Sequence, residues 1–182
     1  MTKTVAVLIG SLRKDSLNRK LAQALEKLAK GKLEFDYIEL ADLPHYNEDL
    51  WDNPPASVVT LKERIGTADG VLFLTPEYNR HFPGVLKDAL DWGSRPYGNN
   101  SWSGKPAAVT GTSPGAIGAA VGQVQLRNAI LHLNMHVMQQ PEAYIQWRDE
   151  AFAADGSITD DGTRKFLQGF IDAFATHIGK IG

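Results

Sequence analysis

Apolar and polar positions divide the chain into two kinds of segment. Five short apolar runs, rich in β-branched and other large aliphatic residues, are typical of buried strands. They span residues 5–9, 33–40, 71–75, 107–111 and 136–139. Between and after them, apolar residues recur at helical spacing over residues 16–29, 56–67, 83–92, 117–133 and 160–178. Strands that alternate with helices predict a parallel sheet covered by helices on both faces.

This pattern predicts the fold class. A five-stranded parallel sheet with helices on both faces favours a flavodoxin-like, three-layer α/β sandwich with strand order 2-1-3-4-5. The 182 residues fit a single domain, residues 1–182, with a sizeable core. In such sheets ligands bind at the carboxyl ends of the strands. We therefore expect the site in the segments that follow strands one, three and four.

Composition narrows the function classes. The hydrophobic fraction of 43% and the charged fraction of 22% are ordinary for a globular protein. A formal net charge of −2 gives no indication of binding to nucleic acid or to a membrane. The chain has no cysteine, which excludes disulfides, thiolate metal sites and cysteine nucleophiles. This composition is compatible with a reducing compartment, so we expect a cytoplasmic protein without a signal peptide.

The segment after the first strand carries the strongest chemical signal. Its polar residues Ser11, Arg13, Ser16 and Asn18 surround the start of the first predicted helix. Free backbone N–H groups and the helix dipole favour an anion there, and the Arg13 guanidinium suits phosphate. Neither G-x-x-x-x-G-K-[ST] nor G-x-G-x-x-G is present. A mononucleotide site follows, with flavin mononucleotide (FMN) as the leading candidate. The alternative is an ordinary strand-to-helix turn capped by Ser16.

The segment after the third strand has a second set of candidate residues. Pro76 stiffens the turn, and the amides of Glu77, Tyr78 and Asn79 follow it. These amides suit the pyrimidine edge of a flavin ring, and Tyr78 offers an aromatic face. The alternative is a proline-initiated turn in which Tyr78 fills a gap in the core.

The segment after the fourth strand contributes Ser113, Gly115 and Gly118. Two glycines allow the backbone to approach a planar ligand closely. The alternative is a helix entry with Ser113 as its cap, which is compatible with binding.

Together these segments resemble the NADPH-dependent FMN reductase family, and most closely its bacterial chromate and quinone reductase branch. The likeness keeps the motif order and extends almost from end to end. It rests on residues 10–18 (GSLRKDSLN), 75–79 (TPEYN), 83–92 (PGVLKDALDW), 113–118 (SPGAIG) and 138–144 (MQQPEAY).

The resemblance implies a flavodoxin-like fold, bound FMN and two-electron reduction of quinones and similar acceptors by NADPH or NADH. Chromate, azo and nitro compounds are further possible acceptors. It also implies a homodimer or homotetramer with a small-molecule electron acceptor as the other partner. By position, the polar residues after the first strand would surround the FMN phosphate. Pro76, Glu77, Tyr78 and Asn79 would line the flavin ring, while Ser113, Gly115 and Gly118 would form its other wall.

One departure from the family pattern is visible. Members often have a second glycine after the one that matches Gly118, and this chain has Ala119 there. Two other functions stay open at this stage. One is an FMN reductase that uses FMN as a substrate and releases it reduced. The other is a flavodoxin-type electron carrier without its own turnover, which the net charge of −2 argues against because such carriers are strongly acidic.

No residues are expected to act as a protein acid, base or nucleophile, because the flavin carries the chemistry. We therefore expect no single His→Ala change to abolish turnover. His132 and His136 have a spacing that suits a metal, but no carboxylate lies near them in the sequence, so no metal site is expected.

The helices over residues 83–92 and 117–133 are expected to contribute to subunit contacts. Arg127 lies among apolar residues of the second helix, so it needs a buried or interfacial carboxylate.

Overall fold

Six parallel strands form one sheet in the computed structural model, which describes residues 2–153 and 155–181. The order is β2-β1-β3-β4-β5, with β6 also paired to β4. The strands are β1 Lys3–Ile9, β2 Leu33–Ile38, β3 Gly70–Leu74, β4 Pro106–Ser113, β5 His136–Val137 and β6 Ala143–Gln146. The predicted strand order is confirmed.

Five helices cover the two faces of the sheet. They are α1 Leu17–Ala29, α2 Ala56–Thr67, α3 Gly84–Gly93, α4 Ala120–His132 and α5 Asp161–Ile181. Buried residues of α1 and α5 pack on one face, and those of α2, α3 and α4 pack on the other. The central strands have apolar side chains buried on both faces, which is why they read as continuous apolar runs in the sequence. The three-layer sandwich is therefore confirmed.

The far edge of the sheet differs from the prediction. A strand was expected over residues 136–139, but β5 ends at Val137 and the edge resumes with β6. Pro141 lies between the two pieces and has no backbone N–H to donate to a ladder. The sequence pattern missed β6 because only two of its four residues are buried.

Helix α4 also begins later than predicted. Residues 117–133 were expected to be helical, but α4 starts at Ala120 and Ser113 ends β4 instead of capping the helix. The cap position is Ala119, whose φ of 60° lies in the left-handed region. This conformation costs a residue with a Cβ about 1 kcal/mol, so glycine would fit this position with less strain than alanine.

The apolar residues of α3 belong to the chain's own core. Leu86, Leu90 and Trp92 are almost completely buried, and the indole N–H of Trp92 donates to the Pro44 carbonyl. These three side chains are therefore not available for the subunit contact expected of this helix. In the described part of the chain, no helix is long and apolar enough to cross a membrane.

Candidate functional site

The segments after β1, β3 and β4 meet at the carboxyl edge of the sheet, as predicted. They enclose a cavity of about 110 Å³ that we call the phosphate cavity. Eight of the predicted site residues line it, and they come from all three segments: Ser11, Arg13, Ser16, Asn18, Pro76, Glu77, Tyr78 and Ser113. Leu17, Thr112 and Pro114 also line it.

The predicted anion site lies at the start of α1. Ser16 caps the helix, since its hydroxyl accepts a 3.2 Å hydrogen bond from the Arg19 amide. Ser11 and Ser16 are buried, whereas Arg13 is exposed at the cavity. Among the described residues no carboxylate pairs with the Arg13 guanidinium. The capping role of Ser16 is compatible with an anion site, because the cap occupies only one of the free N–H groups of the first helical turn.

Asn18 lines the cavity and also has a structural role. Its side-chain amide donates to the Thr112 carbonyl over 3.1 Å and accepts from the Thr112 N–H over 3.0 Å. Both ends of the amide are therefore occupied in the buried contact between α1 and β4. Asn18 fixes the two walls of the phosphate cavity relative to each other, and its backbone N–H is one of the free donors of the first helical turn.

The segment after β3 is a tight turn. Tyr78 and His81 exchange two backbone hydrogen bonds of 2.9 and 3.0 Å. The two residues between them, Asn79 and Arg80, both have positive φ, of 53° and 63°. This is the geometry of a type I′ turn, which asparagine tolerates well. Tyr78 is 47% exposed and lines the cavity, so the interpretation that it fills a core gap is wrong. Asn79 lies in the turn, outside the lining of the phosphate cavity.

Glu77 is fixed by the start of α4. One carboxylate oxygen accepts hydrogen bonds from the amides of Val121 and Gly122, at 3.0 and 3.1 Å. The other oxygen accepts from Arg80 over 3.1 Å. Helix α4 has no side-chain cap of its own, so Glu77 replaces the cap from a distant loop. The carboxylate charge is thus neutralised inside the protein although it borders an anion site.

Close backbone contacts explain two glycines near the end of β4, one within the strand and one after it. A Cβ at Gly111 would lie 2.0 Å from the Thr75 carbonyl oxygen, and one at Gly118 would lie 2.6 Å from the Ile145 nitrogen. Gly118 also has a φ of +57°. Gly115 differs, since it is exposed and a Cβ there meets only the Ser113 hydroxyl, at 3.7 Å. Neither Gly115 nor Gly118 lines the phosphate cavity.

A larger depression adjoins the phosphate cavity, and we call it the lateral groove. It has a volume of about 560 Å³ and shares Ser11, Arg13 and Tyr78 with the phosphate cavity. Its other walls come from the segment after β2 and the start of α3: Leu40, Ala41, Leu43, His45, Pro83, Gly84, Val85 and Asp88. The sequence interpretation missed these residues because it considered only the ends of strands one, three and four. The end of β2 reaches the same edge of the sheet.

Arg127 of α4 has internal partners. Its guanidinium donates to the carbonyls of Met138 and Val109, at 2.8 and 3.1 Å, and Glu142 lies 3.9 Å from its Nε. Burial lowers the pKa of Arg127, and the Glu142 carboxylate opposes this shift. The expected carboxylate therefore comes from the same chain.

The donor set of the phosphate cavity fits a phosphate ester. It combines a helix N-terminus, an exposed guanidinium and several hydroxyls, including those of Ser11 and Ser16, and its one carboxylate is held by other groups. Residues 3–148 match the model of a family described as NADPH-dependent FMN reductase. The chain belongs to the NADPH-dependent FMN reductase family.

Related proteins align with this chain over nearly the full length of both sequences. A structure of FerB, a flavoenzyme NAD(P)H:(acceptor) oxidoreductase from Paracoccus denitrificans, is 62% identical, with all of both chains covered and a TM-score of 0.98. A 2-hydroxy-1,4-benzoquinone reductase of Burkholderia is 46% identical over 98% of this chain and 97% of that protein. A quinone reductase of Pseudomonas putida is 48% identical over 96% and 94%.

Family membership confirms several expectations at once. The chain is a flavodoxin-like oxidoreductase of an NAD(P)H-dependent, FMN-dependent family, as the resemblance implied. Family membership does not assign the residues that hold FMN, and these are proposed from the geometry of the phosphate cavity.

Proposed function

We propose that this protein is an NAD(P)H:quinone oxidoreductase that keeps FMN bound and reduces quinones by two electrons. The phosphate cavity is the main support for a cofactor site. There, the Arg13 guanidinium and the start of α1 offer hydrogen-bond donors that suit an anion. The acceptor class is supported by relatives that are named quinone reductases at 46% and 48% identity.

Residues around the start of α1 would bind the phosphate of FMN. The hydroxyls of Ser11 and Ser16, the Arg13 guanidinium and the backbone N–H of Asn18 converge on the phosphate cavity. A dianionic phosphate gains charge-assisted hydrogen bonds from these donors and a favourable interaction with the helix dipole. When bound, FMN supplies the hydride-transfer chemistry that the protein itself lacks.

The turn after β3 is proposed to hold the flavin ring. The Tyr78 N–H already donates to the His81 carbonyl, so it is removed from the set of three amides that the sequence suggested. The amides of Glu77 and Asn79 remain as donors for the pyrimidine edge, where they would favour negative charge on the reduced ring. Pro76 and the half-exposed Tyr78 ring would contact the flavin on one side. Ser113, Gly115 and Gly118 would form its other wall.

We also propose that the protein assembles as a homodimer or homotetramer through the exposed face of α4. Ile117, Val124 and Leu131 are 47%, 51% and 57% exposed, and they lie on α4 or just before it. Burying such a face between two copies removes apolar area from water. Light scattering at micromolar concentration tests this proposal, and a fully active monomer would refute it.

The function itself is tested on the purified protein. We expect stoichiometric bound FMN, and oxidation of NADPH or NADH that depends on an added quinone. Reduced FMN released into solution on each turnover would instead identify an FMN reductase that uses FMN as a substrate. Tightly bound FMN without any NAD(P)H oxidation would identify an electron carrier.

A further inference from the structure

The lateral groove contains a histidine–carboxylate pair that the site described so far does not use. His45 Nδ1 lies 3.0 Å from one carboxylate oxygen of Asp88, and the Tyr46 amide donates to the other oxygen over 3.0 Å. Asp88 is only 18% exposed, because it lies on α3 beneath the segment that follows β2. The imidazole is therefore anchored on its Nδ1 side by a carboxylate that is itself held in place.

The other side of the same ring is open. The His45 side chain is 99% exposed, and in the described part of the chain no group forms a hydrogen bond with its Nε2. A contact between Nδ1–H and a carboxylate orients the ring, so that Nε2 accepts a hydrogen bond when the ring is neutral and donates one when the ring is charged. The pair thus presents one directed polar group at the wall of the lateral groove.

The rest of the groove suits a small planar molecule. Its walls are largely apolar and include Leu12, Leu40, Leu43 and Val85, together with the Tyr78 ring. A volume of about 560 Å³ lies within the usual range of ligand pockets, which combine apolar walls with a few directed polar groups. Because Arg13 and Tyr78 line both depressions, a molecule in the groove lies next to whatever the phosphate cavity holds.

We propose that the lateral groove binds the quinone acceptor and that His45, oriented by Asp88, forms a hydrogen bond through Nε2 with an oxygen of the quinone or of its hydroquinone product. This proposal rests on the proposed quinone reductase function. Quinones match the groove because they are flat and apolar across the ring and carry hydrogen-bond acceptors only at the edge. His45 is a substrate-binding residue in this account, and Asp88 is a positioning residue.

The acceptor step is tested separately from the NAD(P)H step. Holoenzyme is first reduced anaerobically with NADH, and the bleaching rate of the bound FMN is recorded without acceptor. The reduced enzyme is then mixed with 1,4-benzoquinone over a range of concentrations. His45→Ala is expected to raise the half-saturating benzoquinone concentration about tenfold, the loss expected for one hydrogen bond, with an unchanged bleaching rate. His45→Gln, which keeps a donor, should recover part of the loss.

A binding measurement without turnover supplies the second readout. Oxidised holoenzyme is titrated calorimetrically with 1,4-hydroquinone, the product of benzoquinone reduction. His45→Ala and Asp88→Asn are both expected to weaken its binding, while the exposed His136 of β5 provides a matched control whose alanine variant binds normally.

A third variant tests the groove independently of His45. Gly84 lines the groove, and a Cβ built there meets no atom within 4 Å. Gly84→Ala should therefore be accommodated without a clash, and Gly84→Phe adds a ring at the wall of the groove and should have the larger effect. Both are expected to weaken hydroquinone binding while FMN stays bound.

The outcomes separate the two claims. If benzoquinone does not reoxidise the reduced wild-type enzyme, the proposed quinone reductase function fails. If the wild type is reoxidised but His45→Ala and Gly84→Phe match it in both measurements, the quinone binds elsewhere and the groove assignment is overturned.

Discussion

The segments after β1 and β3 both carry charged and polar residues at one edge of the sheet, but they use them differently. In the β3 segment, Glu77 caps α4 and pairs with Arg80, so its polar side chain is satisfied inside the protein. In the β1 segment, the exposed Arg13 has no carboxylate partner among the described residues. Polar groups that a fold leaves unpaired at a helix N-terminus are available to a ligand, whereas paired ones hold the scaffold.

Asn18 shows that residues of one sequence motif can differ in whether their side chains are paired within the protein or available to a ligand. It belongs to the same motif as Arg13, yet its amide is buried and doubly bonded to Thr112. The comparison therefore predicts opposite phenotypes for two neighbouring residues. Loss of Asn18 should affect chiefly folding, and loss of Arg13 should affect chiefly ligand binding.

The largest expected effect is that of Asn18→Ala on stability. The substitution leaves the Thr112 N–H and carbonyl without their partner in a buried contact, at a cost of about 2–4 kcal/mol in the free energy of unfolding. Urea denaturation of the protein measures this value. Asn99→Ala, at an exposed position in the loop after α3, is the control and should change stability by less than about 0.5 kcal/mol. Equal stabilities for the two variants would show that the Asn18 side chain does not stabilise the fold.

Next in size is the effect of Arg13→Ala on FMN affinity. Removing one charge-assisted contact to the phosphate should weaken binding by about 1.5–3 kcal/mol, with little change in the stability of the apoprotein. Titration of apoprotein with FMN checks this prediction. Lys14→Ala, in the same loop but outside both depressions, should bind FMN almost normally. An unchanged FMN affinity in Arg13→Ala would show that the loop is an ordinary strand-to-helix turn in which Arg13 does not bind the phosphate.

The smallest of the three effects is expected from Glu77→Gln. A glutamine oxygen still accepts from the α4 amides, but the charge that favours the helix N-terminus is lost, so stability should fall by about 1 kcal/mol. Thermal unfolding of the variant measures the change, with Glu63→Gln on the exposed surface of α2 as the control. A stability loss no larger than that of the control would show that Glu77 does not act as the cap.

Much of the fold follows from the sequence because buried parallel strands and amphipathic helices leave clear periodic signals. The run at β1 and the helix after Ser16 are examples, and α2 has the predicted bounds of residues 56–67. The edge strand β6 gave no such signal, since half of it is not buried. The start of α4 was misplaced because its cap is supplied by Glu77, more than 40 residues earlier in the chain.

The candidate site was predictable to the extent that it lies in local motifs. Residues of the β1 and β3 segments converge because strand ends meet at one edge, which the alternation of strands and helices already implies. The lateral groove was not predictable in this way. The contact between His45 and Asp88 joins the segment after β2 to α3, and no spacing rule relates two residues 43 positions apart.

A comparison of FMN with riboflavin tests the central claim most directly, because the two ligands differ only by the phosphate. Titration of the apoprotein should give at least about 100-fold tighter binding of FMN, the equivalent of about 2.7 kcal/mol from the phosphate contacts. In Arg13→Ala this preference should shrink by about tenfold or more, while riboflavin affinity stays unchanged. Equal affinities of the wild-type protein for FMN and riboflavin would contradict a phosphate site at the start of α1.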